Sequence, residues 1–477
     1  MSVEKQTLSG LKWVGGAKFS SQLVSWAATL LVMRLLLPRD YGLMAIVSVV
    51  TTVLGHVAEL GIGASVIQSR EITREDLAKI SGLIMVVSIA VFLALCAAAP
   101  LIAAIYEMPR LRLLIQVAGA QFLISGIATL PQALAQREFR FKWLAVIEVC
   151  WVLAASATTL ALAWVGAGVW ALVAGSLAGA LVRMLMLSAR GIVWPSFRLA
   201  GVRKFLAVGG AVMFGRITWQ VVYQSDVIIG ARRLGAADIG TYSVAQQLAT
   251  LPMQRIMGVL NQVALPAVAR LQDEKERLRQ RLLQATRMLT AISVPALWGI
   301  SAVAPELVGT ILGGKWHSAI FPLQAISLVV PLRMISGIYA TAGLGIGRAA
   351  LDFRNNIVAA IVLPSAFFTG TQYGLNGLAA SWLLAIPLIF TVNFPRLGRA
   401  LSTTVGDVAR AVWRPAAAGL VMYALVVASR IALAGTTDLL RLVALISVGA
   451  ASYLVVLHAL DRKVGRDILD LLRTGKQ

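Results

Sequence analysis

The sequence contains one long apolar stretch twice. Residues 18–42 read KFSSQLVSWAATLLVMRLLLPRDYG, and residues 216–240, which begin 198 positions later, read RITWQVVYQSDVIIGARRLGAADIG. Basic, polar and turn positions coincide without a gap: Lys18 with Arg216, Gln22 with Gln220, Arg34 with Arg232, Asp40 with Asp238, and Gly42 with Gly240. A duplication of this length predicts two related halves. In a membrane protein, parallel repeats usually form two lobes that face each other across a central site.

The composition is that of an integral membrane protein. Of the 477 residues, 58% are hydrophobic and only 13% are charged, and the mean hydropathy is +0.81. A soluble domain has about 25% charged residues. The apolar runs are long enough to cross a bilayer as helices and show no long alternating segments, so strands of a barrel are not expected. The polar N-terminal segment leads into a run too long for a signal peptide, and we expect it to be retained as the first span.

Fourteen apolar segments are predicted to cross the membrane as helices. They lie at residues 13–37, 42–68, 80–105, 112–135, 143–165, 169–189, 205–231, 240–268, 284–312, 319–345, 355–371, 376–395, 413–433 and 439–459. We therefore predict an all-α polytopic membrane protein with two pseudo-symmetric six-helix lobes and two further C-terminal helices. The predicted domains are an N-lobe at 1–189, a cytoplasmic linker at 190–204, a C-lobe at 205–399, and the last two helices with a cytoplasmic tail at 400–477.

The loops differ in charge from one side of the predicted membrane to the other. One alternating set of loops is rich in Lys and Arg, as in Arg137, Arg140 and Lys142, whereas the opposite loops are short and carry few basic residues. Basic loops remain in the cytoplasm, so both termini are expected there. This asymmetry accounts for most of the net charge of +22, and we expect no nucleic-acid partner.

Several charged residues are predicted to lie deep within spans. A charge at the bilayer centre costs on the order of 2.5–3.5 kcal/mol, so it normally faces a cavity or a partner. Arg216 lies twelve residues after Lys204, which is about 18 Å of helix. It begins a polar stripe at helical spacing, formed by Arg216, Gln220, Tyr223 and Asp226,. The matching stripe of the first half is formed by Lys18, Gln22, Ser25 and Thr29.

Arg216, Arg255 and Arg333, with Lys18, predict a cationic cavity for an anionic substrate. Gln22, Gln220 and Tyr223 are candidates for hydrogen bonds to that substrate. Alternatives stay open: Lys18 could reach the membrane surface, and Arg255 or Arg333 could form a buried pair with Asp226. Glu59 is either a carboxylate that couples transport to ion binding or the counter-ion of a cavity arginine. Asp226 is the second candidate for ion coupling.

The cytoplasmic face contains two predicted helical elements. Thr73 and Asp76 have the spacing of a capping box at the start of a helix,. Residues 270–287 are charged, with leucines at helical spacing, and predict an amphipathic helix that serves either as a solvated connector or as part of a gate,.

The sequence contains no recognisable catalytic constellation. The three histidines are scattered, and Cys96 and Cys150 lie within apolar runs, so neither a metal site nor a disulfide is expected,. There is no phosphate-binding loop, which excludes direct hydrolysis of ATP by this chain. We expect no cofactor.

Five stretches resemble the Wzx-type polysaccharide exporters, which are flippases for lipid-linked oligosaccharides in the superfamily that also contains the multidrug exporters. The similar stretches are RLLLPRDYGLMA (34–45), ELGIGASVIQ (59–68), ITREDL (72–77), QREFRFKW (136–143) and SDVIIG (225–230). The similarity is greatest to the branch that exports exopolysaccharides such as colanic acid, xanthan, succinoglycan and teichuronic acid. It covers most of the chain and is strongest before residue 270.

The resemblance implies a V-shaped fold like that of the multidrug exporters. It also implies a function, the transfer of undecaprenyl-pyrophosphate-linked sugar repeats across the bacterial inner membrane. A polysaccharide polymerase and a chain-length regulator are candidate protein partners. Two other functions stay open. A small-molecule antiporter of the same superfamily would have carboxylates, rather than arginines, in its cavity. A membrane-embedded polymerase or ligase would need a larger loop outside the membrane than this chain has.

Overall fold

A computed structural model describes most of the chain, and every regular element in the described part is helical. The described residues are 24–59, 72–189, 191, 193–197, 215, 217–270, 274–433 and 435–461. No strand occurs among them. The chain divides into two compact units, Met1–Gly240 and Thr241–Gln477.

The first unit contains seven described helices and one shorter helical segment at residues 217–223. The helices are α1 (Val24–Leu35), α2 (Pro38–Glu59), α3 (Arg74–Ile105), α4 (Arg110–Arg137), α5 (Phe141–Trp164), α6 (Val169–Ser188) and α7 (Ser225–Leu234). Helix α8 (Ala236–Arg270) begins in this unit and continues into the second.

The second unit contains the remaining seven helices of the described chain. They are α9 (Lys275–Ala302), α10 (Ala304–Leu307), α11 (Ile320–Gly345), α12 (Ala349–Gly370), α13 (Gly374–Ala400), α14 (Val405–Ala432) and α15 (Asp438–Leu460). A π-helical turn, Val308–Leu312, extends α10.

The described helices confirm an all-helical, multi-pass membrane protein. Nine helical segments in the described part are long and apolar enough to span a bilayer, or ten if the bent pair of α9 and α10 counts as one span. One of these segments, Ala350–Ala400, combines α12 and α13. Large apolar side chains such as Leu101, Ile361 and Leu384 are exposed on the helix surfaces, as contact with lipid requires. The count of fourteen spans, the two lobes and the predicted domain boundaries stay predictions.

Small residues allow neighbouring helices to approach closely in both units. A methyl group on Gly175 of α6 would overlap the hydroxyl of Thr159 on α5. One on Gly370 of α12 would overlap the hydroxyl of Ser381 on α13. Close backbone approach at small residues is the usual way in which membrane helices gain packing energy, because lipid is as apolar as the helices themselves.

The predicted capping box at Thr73 is confirmed. The Thr73 hydroxyl accepts a hydrogen bond from the Asp76 amide (3.1 Å), and the Asp76 carboxylate accepts one from the Thr73 amide (3.2 Å). A second capping box, which we did not predict, starts α14 with Thr404 and Asp407. Both boxes satisfy amide groups that a helix N-terminus leaves without an intrahelical partner.

The predicted amphipathic helix at 270–287 and the predicted span at 284–312 are joined in the structure. Helix α9 is continuous from Lys275 to Ala302, and Leu278 and Leu282 are buried on its inner face. The chain then bends by 67° into the segment Ala304–Leu312. Pro305 lies just after the bend. It has no amide hydrogen to continue the helical ladder, which explains why the span is broken there.

The duplicated turn makes a reciprocal contact within the first unit. A methyl group on Gly42 of α2 would overlap the carbonyl oxygen of Ala236, and one on Gly240 of α8 would overlap the carbonyl oxygen of Pro38. Pro38 and Ala236 occupy matching positions of the repeat, as do Gly42 and Gly240. Only glycine allows the starts of α2 and α8 to cross this closely.

Asp40, in the same turn, connects α2 to α6. One carboxylate oxygen accepts a hydrogen bond from the Leu37 amide (3.1 Å), and the other accepts one from the Val169 amide (3.1 Å). Gly168, which precedes Val169, has a φ of 58° and leaves room for this carboxylate. The Asp40 side chain therefore binds both the start of its own helix and the start of α6.

Candidate functional site

Arg333 is the predicted cavity residue whose surroundings are best defined. It lies 13 residues from the start of α11, about 20 Å along the helix, and thus near the middle of the span. Its guanidinium carbon is 5.4 Å from the ring centroid of Trp382 on α13. The Trp382 indole donates a 2.6 Å hydrogen bond to the hydroxyl of Tyr242 on α8. Trp382 and Tyr242 are both buried.

Arg333 of α11 thus lies over Trp382 of α13, and Trp382 is held in turn by residues of α8 and α12. The Phe367 ring of α12 lies 5.2 Å from the Trp382 ring and supports it from another side. A guanidinium group over an aromatic face is attracted by the ring's electrons. Its planar donors can then meet a phosphate or carboxylate with two parallel hydrogen bonds. A partly buried, mid-span arginine with this support is suited to binding an anion.

The described part of the second-half polar stripe lies on two consecutive helical pieces. Gln220 and Tyr223 are in the segment 217–223, where the Tyr223 ring is 4.7 Å from the Trp219 ring. A turn at Gln224 separates this segment from α7. Asp226, in the first turn of α7, is buried and accepts a 2.7 Å hydrogen bond from the Val227 amide. A carboxylate is favoured at this position because the helix N-terminus carries partial positive charge.

The other predicted site residues lie outside the described part of the structure. Lys18, Gln22 and Arg216 belong to residues that are not described, and the side chains of Glu59 and Arg255 are not described either. Arg255 is within α8 and Glu59 ends α2. The grouping of these residues with Arg333 in one cavity stays a prediction.

Arg183 makes an interhelical contact that we did not predict. It donates a 2.6 Å hydrogen bond to the side-chain oxygen of Gln132 on α4. Its guanidinium carbon also lies 5.7 Å from the ring centroid of Trp151 on α5. The sequence predicts that Arg183 lies one or two turns from a cytoplasmic loop, as a membrane-interface residue. The pairs Arg183–Trp151 and Arg333–Trp382, which join different helices, have no sequence signal because the partners are 32 and 49 residues apart in the chain.

A partly buried ion pair at the bend after α9 was also not predicted from the sequence. Arg430 of α14 binds both carboxylate oxygens of Glu306, at 2.7 and 3.2 Å. The same guanidinium group donates to the carbonyl oxygen of Ala302, the last residue of α9. Arg430 therefore supplies a donor to a helix end that the bend leaves incomplete. The pair stabilises the broken geometry of this span.

Replacing Glu306 with Gln should lower the free energy of unfolding by about 1 kcal/mol. The amide oxygen can still accept one hydrogen bond from Arg430, but the charge that strengthens the pair is lost. The measurement is thermal unfolding of the purified protein. The double variant Glu306→Gln/Arg430→Gln is the control for coupling. If the losses of unfolding free energy in Glu306→Gln and Arg430→Gln added up to the loss in the double variant, the ion pair itself would contribute nothing to stability.

A family model described as "Polysaccharide biosynthesis protein" matches residues 31–321 of the chain. Among curated relatives, the Teichuronic acid biosynthesis protein TuaB of Bacillus subtilis is 26% identical over 404 residues, which are 82% of each chain. The Succinoglycan biosynthesis transport protein ExoT of Rhizobium meliloti is 24% identical over 450 residues, which are 93% of this chain and 91% of ExoT.

Two solved structures have the same fold. The lipid II flippase MurJ, in an inward closed conformation, aligns with a TM-score of 0.74 at 14% identity, over 94% of this chain and 99% of that one. An inward-facing multidrug resistance MATE family transporter aligns with a TM-score of 0.61 at 16% identity, over 81% of this chain and 96% of that one. The predicted likeness to the multidrug exporter fold is confirmed at the level of fold.

Proposed function

We infer the function from one premise: the chain belongs to the polysaccharide biosynthesis protein family, whose model covers residues 31–321. We propose that it is a flippase that moves polysaccharide repeat units, linked to undecaprenyl pyrophosphate, from the cytoplasmic to the outer face of the bacterial inner membrane. The membrane fold shared with a lipid II flippase supports this proposal.

The structural observation that carries the proposal is Arg333, held near mid-span over Trp382. A cation in this position favours a substrate with phosphate or acidic sugars over a cationic drug. In the proposed site, Lys18, Arg216, Arg255 and Arg333 bind the pyrophosphate. Gln22, Gln220 and Tyr223 donate or accept hydrogen bonds at sugar hydroxyls.

Transport proceeds in the proposed mechanism by alternating access of two lobes, residues 1–189 and 205–399. An inside-negative membrane potential favours outward movement of the anionic headgroup by roughly 2.3 kcal/mol per charge per 100 mV. Glu59 and Asp226 are the candidates for additional ion coupling. With both termini in the cytoplasm, as the basic loops predict, the cavity accepts its substrate from the side on which the repeat unit is assembled.

A deletion strain provides the direct test. Lipid-linked sugar intermediates are extracted, their masses determined, and their membrane face established with a membrane-impermeant labelling reagent. We expect complete repeat units to accumulate on the cytoplasmic face, and the wild-type gene to restore their transfer. The mass of the repeat unit would identify the sugar substrate.

Two other outcomes would overturn the proposal. Repeat units that reach the outer face but remain unpolymerised would indicate a polymerase, a ligase or an assembly factor. Normal levels of lipid-linked intermediates, with increased sensitivity to cationic drugs, would indicate a small-molecule antiporter. Contact with a polysaccharide polymerase or a chain-length regulator is a separate part of the proposal, tested by crosslinking in the intact membrane.

A further inference from the structure

Four arginines converge on two buried carboxylates at one end of the second unit. We call this group the arginine cluster. Its members are Arg279 and Arg287 of α9, Arg410 and Arg414 of α14, and the carboxylates Asp407 and Asp461. It lies outside the proposed transport site, and none of its residues belongs to the duplicated stretch.

Asp407 holds the first two arginines. Its side chain is 6% exposed and lies 2.9 Å from Arg410 and 3.0 Å from Arg279, both measured to the same carboxylate oxygen. The other oxygen accepts the Thr404 amide at 3.0 Å, as part of the capping box of α14. Both oxygens are thus engaged, and Asp407 is rigidly placed by the helix start.

Asp461 holds the second pair of arginines. This residue directly follows α15, and its side chain is only 2% exposed. One of its oxygens is 3.1 Å from Arg414 and 3.6 Å from Arg287. In the described part of the chain, four guanidinium groups thus share these two carboxylates. Glu276 also binds Arg279 at 3.0 Å, and among the described residues the four arginines still outnumber the three carboxylates that contact them.

The outer side of the cluster has the features of a membrane-interface site. The side chains of Arg410 and Arg414 are 78% and 42% exposed and lie one helical turn apart on α14. The Arg414 guanidinium carbon is 5.6 Å from the ring of Trp413, which is itself exposed. Tryptophan is enriched at the headgroup level of bilayers, where its ring meets apolar chains and its N–H meets water. Helix α14 continues from this point into an apolar span.

We propose that the arginine cluster binds the headgroup of an anionic phospholipid. Arg410 and Arg414 donate hydrogen bonds to the phosphate, and Trp413 packs beside the glycerol and the first acyl carbons. Dispersed basic residues would suffice to orient the protein in the membrane. Here, buried carboxylates instead fix the guanidinium groups in place, which preorganises them for planar, bidentate contact with a phosphate. Basic pockets between membrane helices on the cytoplasmic side are suited to acidic lipids.

Native mass spectrometry of the purified full-length protein tests the proposal. Phosphatidylglycerol is titrated into the protein in neutral detergent, with phosphatidylcholine, which is zwitterionic and has no net charge, as the reference lipid. We expect phosphatidylglycerol to bind more tightly, and the preference to fall about fivefold in Arg410→Gln. The double variant Arg410→Gln/Arg414→Gln should lose about 25-fold, since the effect is about fivefold per arginine. Arg410→Gln leaves the Arg414–Asp461 bridge intact, so its fold is expected to survive.

The matched control is Arg396→Gln/Arg399→Gln, which removes two exposed arginines from α13 of the same unit. This control should keep the lipid preference. If both double variants lost the same preference for phosphatidylglycerol, the proposal would be overturned, because lipid binding would then depend on the net charge of the protein and not on the arginine cluster. Unchanged binding in the Arg410/Arg414 double variant would also overturn it. Displacement of the lipid by equimolar inorganic pyrophosphate would assign the cluster to the substrate headgroup instead. Lipid binding is measured without a transport assay, so the result is independent of whether the protein is a flippase.

Discussion

Replacing Arg333 with Ala is expected to reduce polysaccharide export at least tenfold. A hydrogen-bonded contact to a charged group contributes about 1.5–3 kcal/mol, and 1.4 kcal/mol corresponds to a factor of about ten. Arg333→Lys should retain part of the activity, because an ammonium group keeps the charge but cannot make a bidentate contact with phosphate. Export is measured as polymer released by a deletion strain that carries each variant, relative to the amount of protein in the membrane.

The matched control for Arg333 is Arg399→Ala, which removes an exposed arginine of α13 whose hydrogen bond within the described residues is local, to the Pro395 carbonyl at 3.1 Å. It should export normally. Thermal unfolding of Arg333→Ala separates two causes of a loss of export. A lowered unfolding midpoint indicates lost packing against Trp382, whereas an unchanged midpoint indicates lost substrate binding. Export by Arg333→Ala at the wild-type level, with normal unfolding, would remove Arg333 from the site. The same loss of export is expected for Arg216→Ala, its predicted partner in the cavity.

Replacing Gly240 with Ala is expected to lower the free energy of unfolding by about 3 kcal/mol, the upper end of the usual cost of overpacking. The added methyl group would overlap the carbonyl oxygen of Pro38 and lie close to the amide nitrogen of Gly42. Both are backbone atoms, so no side chain can rotate to make room. Helices α2 and α8 would have to separate where they cross. The measurement is the thermal unfolding midpoint of the purified protein, together with its yield in the membrane.

Helix α2, the partner of α8 in this contact, offers a control for this substitution. A methyl group on Gly55 of α2 would lie 4.0 Å from the nearest atom, on the Phe122 ring. Gly55→Ala should therefore be neutral or stabilising, because alanine favours a helix more than glycine does. Gly42→Ala should lower the free energy of unfolding as much as Gly240→Ala does. The double variant should lose less than the sum of the two single losses, because one separation of the helices relieves both overlaps. Equal stability of Gly240→Ala and Gly55→Ala would contradict the close crossing.

The helical fold could be predicted because its cause is local in the sequence. Apolar segments such as 143–165 and 169–189 become helices at Phe141–Trp164 and Val169–Ser188. In lipid, a backbone with no water to bind must form its own hydrogen bonds, so apolar length fixes the element type. Thr73 could be predicted for a similar reason, since its capping partner is only three residues away.

The side-chain partnerships could not be predicted because they join distant parts of the chain. Glu306 and Arg430 are 124 residues apart, and the two members of the Arg333–Trp382 pair are on different helices. Hydropathy and spacing describe one helix at a time and do not say which faces meet. The continuity of α9 could not be predicted for a related reason. The charged residues at 270–287 indicated an amphipathic helix that ends at the membrane surface, but the backbone continues as one helix from Lys275 to Ala302.

The reciprocal glycine contact has a consequence for the origin of the chain. Position 42 meets position 236 and position 240 meets position 38, so each surface touches the other repeat's copy of the same surface. That is the pattern of an isologous interface between two identical subunits related by a two-fold axis. If the repeated stretches arose by duplication, as the sequence predicts, an ancestral chain of half this length made the contact only by pairing with a second copy of itself.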